Sequence, residues 1–442
     1  MSVQGDGAGS ATRVAVIGAG YVGLPTAATL ASFGHSVVLA ERDPARLSTL
    51  RAGRLPIVES GLDDLVASGV ASGHLTFTDS AVTAVEGAQF VFLCVPTPQS
   101  TDGSADLSFV EETAKEIASH LEPDAVVVNK STVPVGSATM VEKVIGRSDI
   151  SVVSNPEFLR EGTAVHDSLK PDRIVVGADD AQAATRVGSL FASTGAPLIV
   201  TDATTSETIK YASNAFLATK LSFVNALAGL CEEVGADARD VLLGLGYDKR
   251  IGFEFLRPGP GWGGSCLPKD TRALLHIASE AGYDFSLLAG AIASNDEQLT
   301  RVVSKVEEAC GGSVEGVTVA VWGLTFKANT DDRRYSPSLQ ISHELAARCA
   351  RVQAYDPTVE AVEDEDDVPD DLRGLALRGD PYEAAAGARA LVVLTEWDEF
   401  RWLDFSHLLA RMEEPNIVDA RNLLDPAALR RMGFSYTGIG RR

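Results

Sequence analysis

The stretch RVAVIGAGYVG, Arg13–Gly23, constrains this 442-residue chain more than any other. Its first residues form a short apolar run that reads as a buried strand. The glycines at 18, 20 and 23 then fit GxGxxG, and LPTAATLAS behind them reads as a helix. A strand that turns on glycine into a helix predicts a βαβ unit in a parallel sheet covered on both faces. Gly18 permits the tight turn. Gly20, with Tyr21 and Val22 beside it, lets backbone approach a pyrophosphate, and Gly23 lets the helix pack close to the strand. Glu41 ends the next apolar run, where a carboxylate accepts ribose hydroxyls and repels a 2′-phosphate. NAD is therefore expected over NADP, with the adjoining Arg42 acting against that preference.

The same alternation continues. SVVLAE (36–41), QFVFLCVP (89–96), AVVVNKST (125–132), ISVVSNPEF and RIVVGA predict strands separated by helices up to about residue 200. From Thr205 to Val234 no proline intervenes and helical periodicity is unbroken, so one long helix is expected, with more helix from Asp270 to about Ala309. Strands return at VTVAVWG (317–323), RVQAYDP (351–357), ALVVLTEW (390–397) and NIVDAR (416–421). The expected fold class is α/β: two Rossmann-like, doubly wound parallel-sheet domains joined by a long central helix. The expected divisions are 1–204, 205–312 and 313–442. Met1–Ser10 reads as a polar tail without signal-peptide character, and the acidic run Glu363–Asp371 as a solvated loop.

Charge narrows the function. The formal net charge of -23, from 61 acidic and 38 basic residues, opposes binding to nucleic acid or anionic membranes, so an anionic ligand needs local basic groups. The apolar runs fall short of a membrane span of about 18 residues. Five cysteines without a CxxC pair, and histidines without HxxxH spacing, predict free thiols in a reducing, cytoplasmic setting and no metal site.

One of those cysteines stands apart. GWGGSCLPKD (261–270) puts Cys266 behind three glycines and before Lys269 and Asp270. With Ser265 as a cap and Pro268 in the first turn, Cys266 is expected at the positive end of a helix, which favours a thiolate, and Asp270 lies one turn on. Lys210 and Asn214 are spaced i, i+4 on the long helix. Glu157 and Glu161 share that spacing behind Asn155 as a cap and Pro156 at N1. Thr132 ends a strand, where ligands meet open α/β sheets. Taken singly, each has a plain alternative: a structural thiol, a solvated helix stripe, acids stabilised by a helix dipole.

Together with GAGYVGL, VPTP, KSTVPVG, NPEFLREGTA, KYASNAF, YDKRIG, FLRPGPGWGGSCLPKD and LTFKANTDDRRYSPS, these stretches resemble the UDP-glucose/GDP-mannose family of nucleotide-sugar 6-dehydrogenases from Arg13 to about Leu424. The resemblance implies a cytoplasmic enzyme that uses two NAD to oxidise the C6 alcohol of UDP-glucose to UDP-glucuronate. It makes 1–204 the NAD-binding domain, 205–312 the dimerisation and linker region, and 313–442 the UDP-sugar-binding domain. Cys266 would carry a thiohemiacetal and then a thioester, Lys210 and Asn214 would stabilise the oxyanion, Asp270 and Thr132 would hold a water, and Glu161 or Glu157 would move protons.

Cofactor contacts would be Gly18, Gly20, Tyr21, Val22, Gly23, Glu41, Arg46, Thr97, Thr132, Glu161, Lys269 and Arg334. Substrate contacts would come from Phe158, Leu159, Arg160, Glu161, Lys210 and Asn214, and from Phe255, Leu256, Arg257, Gly261, Trp262 and Gly263. Phe326, Lys327 and Arg421 would join them, with Arg250 reaching a second subunit, so a homodimer at least is implied.

Four positions depart from the family pattern: Glu41 for aspartate, Ser60 for proline, Trp262 for phenylalanine and Tyr335 for a small polar or acidic residue. The nearest alternative is a GDP-mannose 6-dehydrogenase with the same thiol chemistry, ahead of the branch acting on N-acetylated sugars. A two-electron hydroxyacid dehydrogenase would have no need of Cys266, and a nucleotide-sugar-binding protein without activity no need of the full polar set.

Overall fold

The computed structural model describes residues 12–100, 104–362 and 367–441. The expected tail, Met1–Ser10, and the start of the acidic run, Glu363–Asp366, lie outside them. The chain divides into two units at Ala212/Ser213, within the long helix Ala203–Val234.

The first unit holds an eight-stranded sheet: β1 (Arg13–Ile17), β2 (Ser36–Ala40), β3 (Leu75–Thr78), β4 (Phe90–Leu93), β5 (Val126–Asn129), β6 (Ser151–Ser154), β7 (Ile174–Gly177) and β8 (Leu198–Thr201). Their order is β3-β2-β1-β4-β5-β6-β7-β8. Alternate residues of β1 face opposite sides. Val14 and Val16 join Leu39, Phe92 and Val128 in one core, while Ala15 and Ile17 join Val91, Leu93 and Val127 in the other. The sheet departs from the expected parallel pattern at one step: β6 and β7 pair antiparallel through Ser154 and Gly177. The connection between them, residues 155–173, is mostly irregular, with helix only at Ala164–Leu169.

The second unit carries β9 (Thr318–Trp322), β10 (Arg351–Tyr355), β11 (Ala376–Leu377), β12 (Ala390–Val393), β13 (Asn416–Asp419) and β14 (Ser435–Gly438). All its pairings are parallel, in the order β11-β10-β9-β12-β13-β14, which repeats the first six strands of the other sheet. At the end of β10, Asp356 accepts hydrogen bonds on Oδ2 from the Leu324 and Thr325 amides, the Thr325 hydroxyl and the Trp397 indole. On Oδ1 it accepts from the amide and hydroxyl of Thr358.

The helical stretch expected from Asp270 to Ala309 is two helices, Leu267–Glu280 and Ser286–Ala309, broken at Gly282 with φ +72°. The long helix is long and apolar enough to cross a membrane, but half of its most apolar stretch is buried in the protein. It also carries Asn214, Ser222 and Asn225 in hydrogen bonds.

Candidate active site

In the first unit, Gly18 adopts φ +103°, and a Cβ there would stand 2.5 Å from the Cys94 carbonyl oxygen. At Gly23, which begins the helix Gly23–Ser32, a Cβ would fall 1.8 Å from the Gly18 oxygen, so helix and strand meet at a distance only glycine permits. Above Gly20 the space is open, with nothing within 4 Å of a Cβ. Glu41, nearly buried, accepts the Ala19 amide on Oε2 at 3.1 Å and the Asp43 amide on Oε1 at 2.9 Å. Each oxygen keeps a lone pair for a ribose hydroxyl. Open space over Gly20 at a helix N-terminus beside such a carboxylate fits a dinucleotide. Thr97 donates its hydroxyl to the Thr132 carbonyl at 2.9 Å, tying two expected cofactor contacts together. Arg46 is exposed on the helix Pro44–Arg51, whose first amides Asp43 caps.

The expected helix behind Asn155 does not form. Asn155 is drawn into the core instead: its amide nitrogen donates to Val175 O at 2.7 Å, and its side-chain oxygen accepts Lys130 Nζ at 3.1 Å. The chain then runs as an irregular segment to Thr163. Glu157 turns inward, accepting Lys210 Nζ on Oε1 at 2.7 Å and the Leu159 amide on Oε2 at 2.6 Å. Burial pushes the Glu157 carboxyl up, but the charge and hydrogen bond of Lys210, the Leu159 amide and Lys130 outweigh it and hold the group below the usual carboxylate range. Arg173 stacks on Phe158, 3.7 Å from the ring centroid. Arg160 is turned to Asp167 through Nε and Nη2. Behind the segment is a cavity of about 110 Å³, lined by Thr29, Lys130, Asn155, Glu157, Phe158 and Arg173 among others.

Lys130 was not singled out from the sequence. Burial pulls its ammonium down to about 8, with Glu157 and Cys94 opposing. Its one signal is position, directly after the buried strand β5. Two buried carboxylates also escaped notice. Glu207 accepts the Gly136 and Ala138 amides at 2.7 and 2.9 Å, at the start of the helix Ser137–Ile145 beyond Thr132. Glu59 does the same for Gly162 and Ala164.

In the second unit Cys266 is itself the N-cap of the helix Leu267–Glu280, in place of the expected Ser265. Ser265 Oγ lies 3.5 Å from the sulfur instead. The Asp270 amide bonds to Cys266 O at 2.9 Å, which puts Asp270 one turn on. Its buried carboxylate accepts Lys269 Nζ on Oδ1 at 2.8 Å and Asn214 Nδ2 on Oδ2. Cys266 is partly exposed, whereas burial pushes the thiol of Cys94 up to about 12 and that of Cys310 to about 11.

The glycine turn before the thiol is fixed by buried amides. Asn225 accepts the Gly259 amide at 2.9 Å, and Gln298 donates to Gly259 O at 2.8 Å. Asn295 both accepts from and donates to the Trp262 main chain. Trp262, an expected substrate contact, is buried with its indole N–H on Ser222 Oγ at 2.8 Å; phenylalanine would lack that bond. A Cβ at Gly263 would sit 2.1 Å from Tyr335 O, and one at Gly264 2.8 Å from the Phe326 ring. Arg421 donates to Phe326 O at 2.8 Å and to Leu394 O at 2.7 Å, and Lys327 lies over the Phe326 ring. Gly261, Trp262, Gly263, Phe326, Lys327 and Arg421 are thus one cluster. Leu256 is buried against Val224 and Leu242, Phe255 has φ +60°, and Arg257 is exposed. Two expected contacts stay with local acids: Arg250 pairs with Asp248 and Arg334 with Asp332. Among the described residues, no group of three or more His, Cys, Asp or Glu is placed to hold a metal.

Residues 12–194 match the NAD binding domain of the UDP-glucose/GDP-mannose dehydrogenase family, residues 204–297 its central domain and residues 320–426 its UDP binding domain. A UDP-glucose 6-dehydrogenase of Rhizobium meliloti is 48% identical, with 97% of this chain and 99% of that protein aligned. The structure of a UDP-glucose dehydrogenase from Pyrobaculum islandicum superposes with a TM-score of 0.89 at 35% identity, covering 100% of both chains. A GDP-mannose dehydrogenase from Pseudomonas aeruginosa gives 0.53 at 29% identity, over 97% of this chain and 100% of the other. The chain belongs to the UDP-glucose/GDP-mannose dehydrogenase family, as an NAD-dependent dehydrogenase with the family's three parts in order.

Proposed function

We propose that the chain oxidises C6 of UDP-glucose to the carboxylate of UDP-glucuronate through a thioester on Cys266. The C6 alcohol first loses a proton and a hydride to become an aldehyde; the thiolate then adds to the aldehyde carbon and forms a C–S bond and an oxyanion. Loss of hydride from that carbon gives the thioester, and water then adds and expels the thiolate. Bound NAD+ supplies the hydride acceptor for each oxidation. Lys210 and Asn214, one helical turn apart, present N–H donors to the oxyanion, and Asp270 with Thr132 holds the hydrolytic water. Of the two glutamates, Glu161 moves the proton, because the Glu157 oxygens accept from Lys210 and Leu159. The observation that carries this reading is the partly exposed Cys266 at a helix N-terminus, one turn from an Asp270 fixed by Asn214 and Lys269.

Uracil and glucose are assigned on likeness: the relatives at 48% identity and at a TM-score of 0.89 are both named for UDP-glucose. The test is NADH formed per sugar at limiting UDP-glucose and excess NAD+. Two per sugar is expected. One per sugar would leave an alcohol–aldehyde enzyme, and turnover with GDP-mannose alone would overturn the substrate.

The long helix supports a homodimer. Phe216, Phe223 and Leu230 are 68%, 60% and 55% exposed at seven-residue spacing, an apolar stripe suited to a second copy. Phe223→Asp is expected to shift the mass measured by light scattering from dimer to monomer. An unchanged dimer would move the interface elsewhere.

A further inference from the structure

We propose that Glu59 is a positioning residue for the sugar chemistry: its carboxylate clamps two amides directly behind Glu161 and so fixes where the segment Phe158–Glu161 stands. This rests on the reading of that segment as a substrate contact.

Glu59 precedes the helix Leu62–Ala71 and is 5% exposed. Its Oε2 accepts the Gly162 amide at 2.7 Å and its Oε1 the Ala164 amide at 2.7 Å, across more than 100 residues of sequence. Ala164 opens the helix Ala164–Leu169, and the N-cap residue Thr163 makes no side-chain cap bond. Amides at a helix start need an acceptor from elsewhere, and Glu59 supplies it with a charged group, which strengthens both bonds.

The rest of the segment has its own anchors. The Asn155 backbone N–H bonds to Asn129 O at 3.0 Å, Glu157 is held by Lys210, and Arg160 by Asp167. Beyond Glu161 the chain turns through Gly162 at φ +80°, and Glu59 grips both sides of that turn. A displacement of about 1 Å in a reacting group is enough to slow catalysis by about a hundredfold. Glu59→Gln keeps the volume and one acceptor oxygen, but its NH2 then faces the second amide. Glu59→Asp keeps the charge on a side chain one methylene shorter, which cannot span both.

The test uses the full chain with Glu59→Gln, and Glu59→Asp should the first variant fail to fold. Expected are loss of hydrogen-exchange protection at Gly162 and Ala164, a kcat with UDP-glucose at least tenfold lower, and binding of UDP alone within twofold of wild type. Unchanged protection would overturn the clamp. Turnover within twofold after protection is lost would overturn its catalytic purpose. A fall in kcat matched by an equal loss of UDP binding and a lower Tm would reduce Glu59 to a structural residue. Hydrogen exchange reads the clamp without substrate, so a wild-type chain inactive on UDP-glucose would sink the functional reading separately.

Discussion

Turnover with UDP-glucose is expected to fall by about a thousandfold or more when Cys266 becomes alanine, equivalent to about 4 kcal/mol of barrier. The variant keeps its Tm within about 2 °C, because Cys266 lies at a helix start, partly exposed and outside the buried core. Loss of rate without loss of stability separates this thiol from Cys94 and Cys310, which pack in the cores and resist ionisation. In a single turnover the variant releases at most one NADH per sugar. Steady formation of two would remove the covalent step.

The second large effect is on folding. Lys210→Met leaves Glu157, 5% exposed, without its main counter-charge and costs about 3–5 kcal/mol in thermal or urea unfolding. Adding Glu157→Gln recovers most of that, since the buried charge disappears while the Leu159 amide keeps an acceptor. The pH dependence also reverses. In the wild type the folded carboxyl is depressed, so its contribution is present above the unfolded value near 4.3 and is lost as pH falls through the lower folded value. In Lys210→Met burial is opposed only by Leu159 and Lys130, the folded carboxyl rises, and stability falls as pH climbs past 4.3. Parallel acid-side slopes in the two proteins would refute this account.

Much of this architecture was legible because buried parallel strands are apolar without interruption. The runs at β1, β4, β5, β9 and β12 leave little else to read. The missed strands, β3, β8, β11 and β14, are the outermost of each sheet. β8 edges its sheet with Leu198, Ile199 and Val200 exposed, β11 has two residues, and SYTG at β14 carries no apolar run. The reversal at β7 depends on the path of the irregular connection before it, which SVVS and IVVG cannot signal.

The site divides the same way. Cys266 was visible because glycines and charges surround it in sequence. Glu59 and Lys130 were not, since each acts on partners dozens of residues away or more and looks locally like any other Glu or Lys.

The two sheets repeat a strand order, yet their acids differ in what they have left to offer. Glu41 accepts two amides and retains lone pairs, whereas Asp356 already takes six hydrogen bonds. At the matching place among the described residues the second sheet therefore offers no carboxylate to an adenosine ribose, which leaves the berth beside Glu41 for a cofactor the proposed reaction consumes twice. A half-oxidised sugar must then outlast an exchange of cofactor beside it. A molecule that could drift away during that wait would be lost as a free aldehyde, and a covalent tether to sulfur is a way to make it stay.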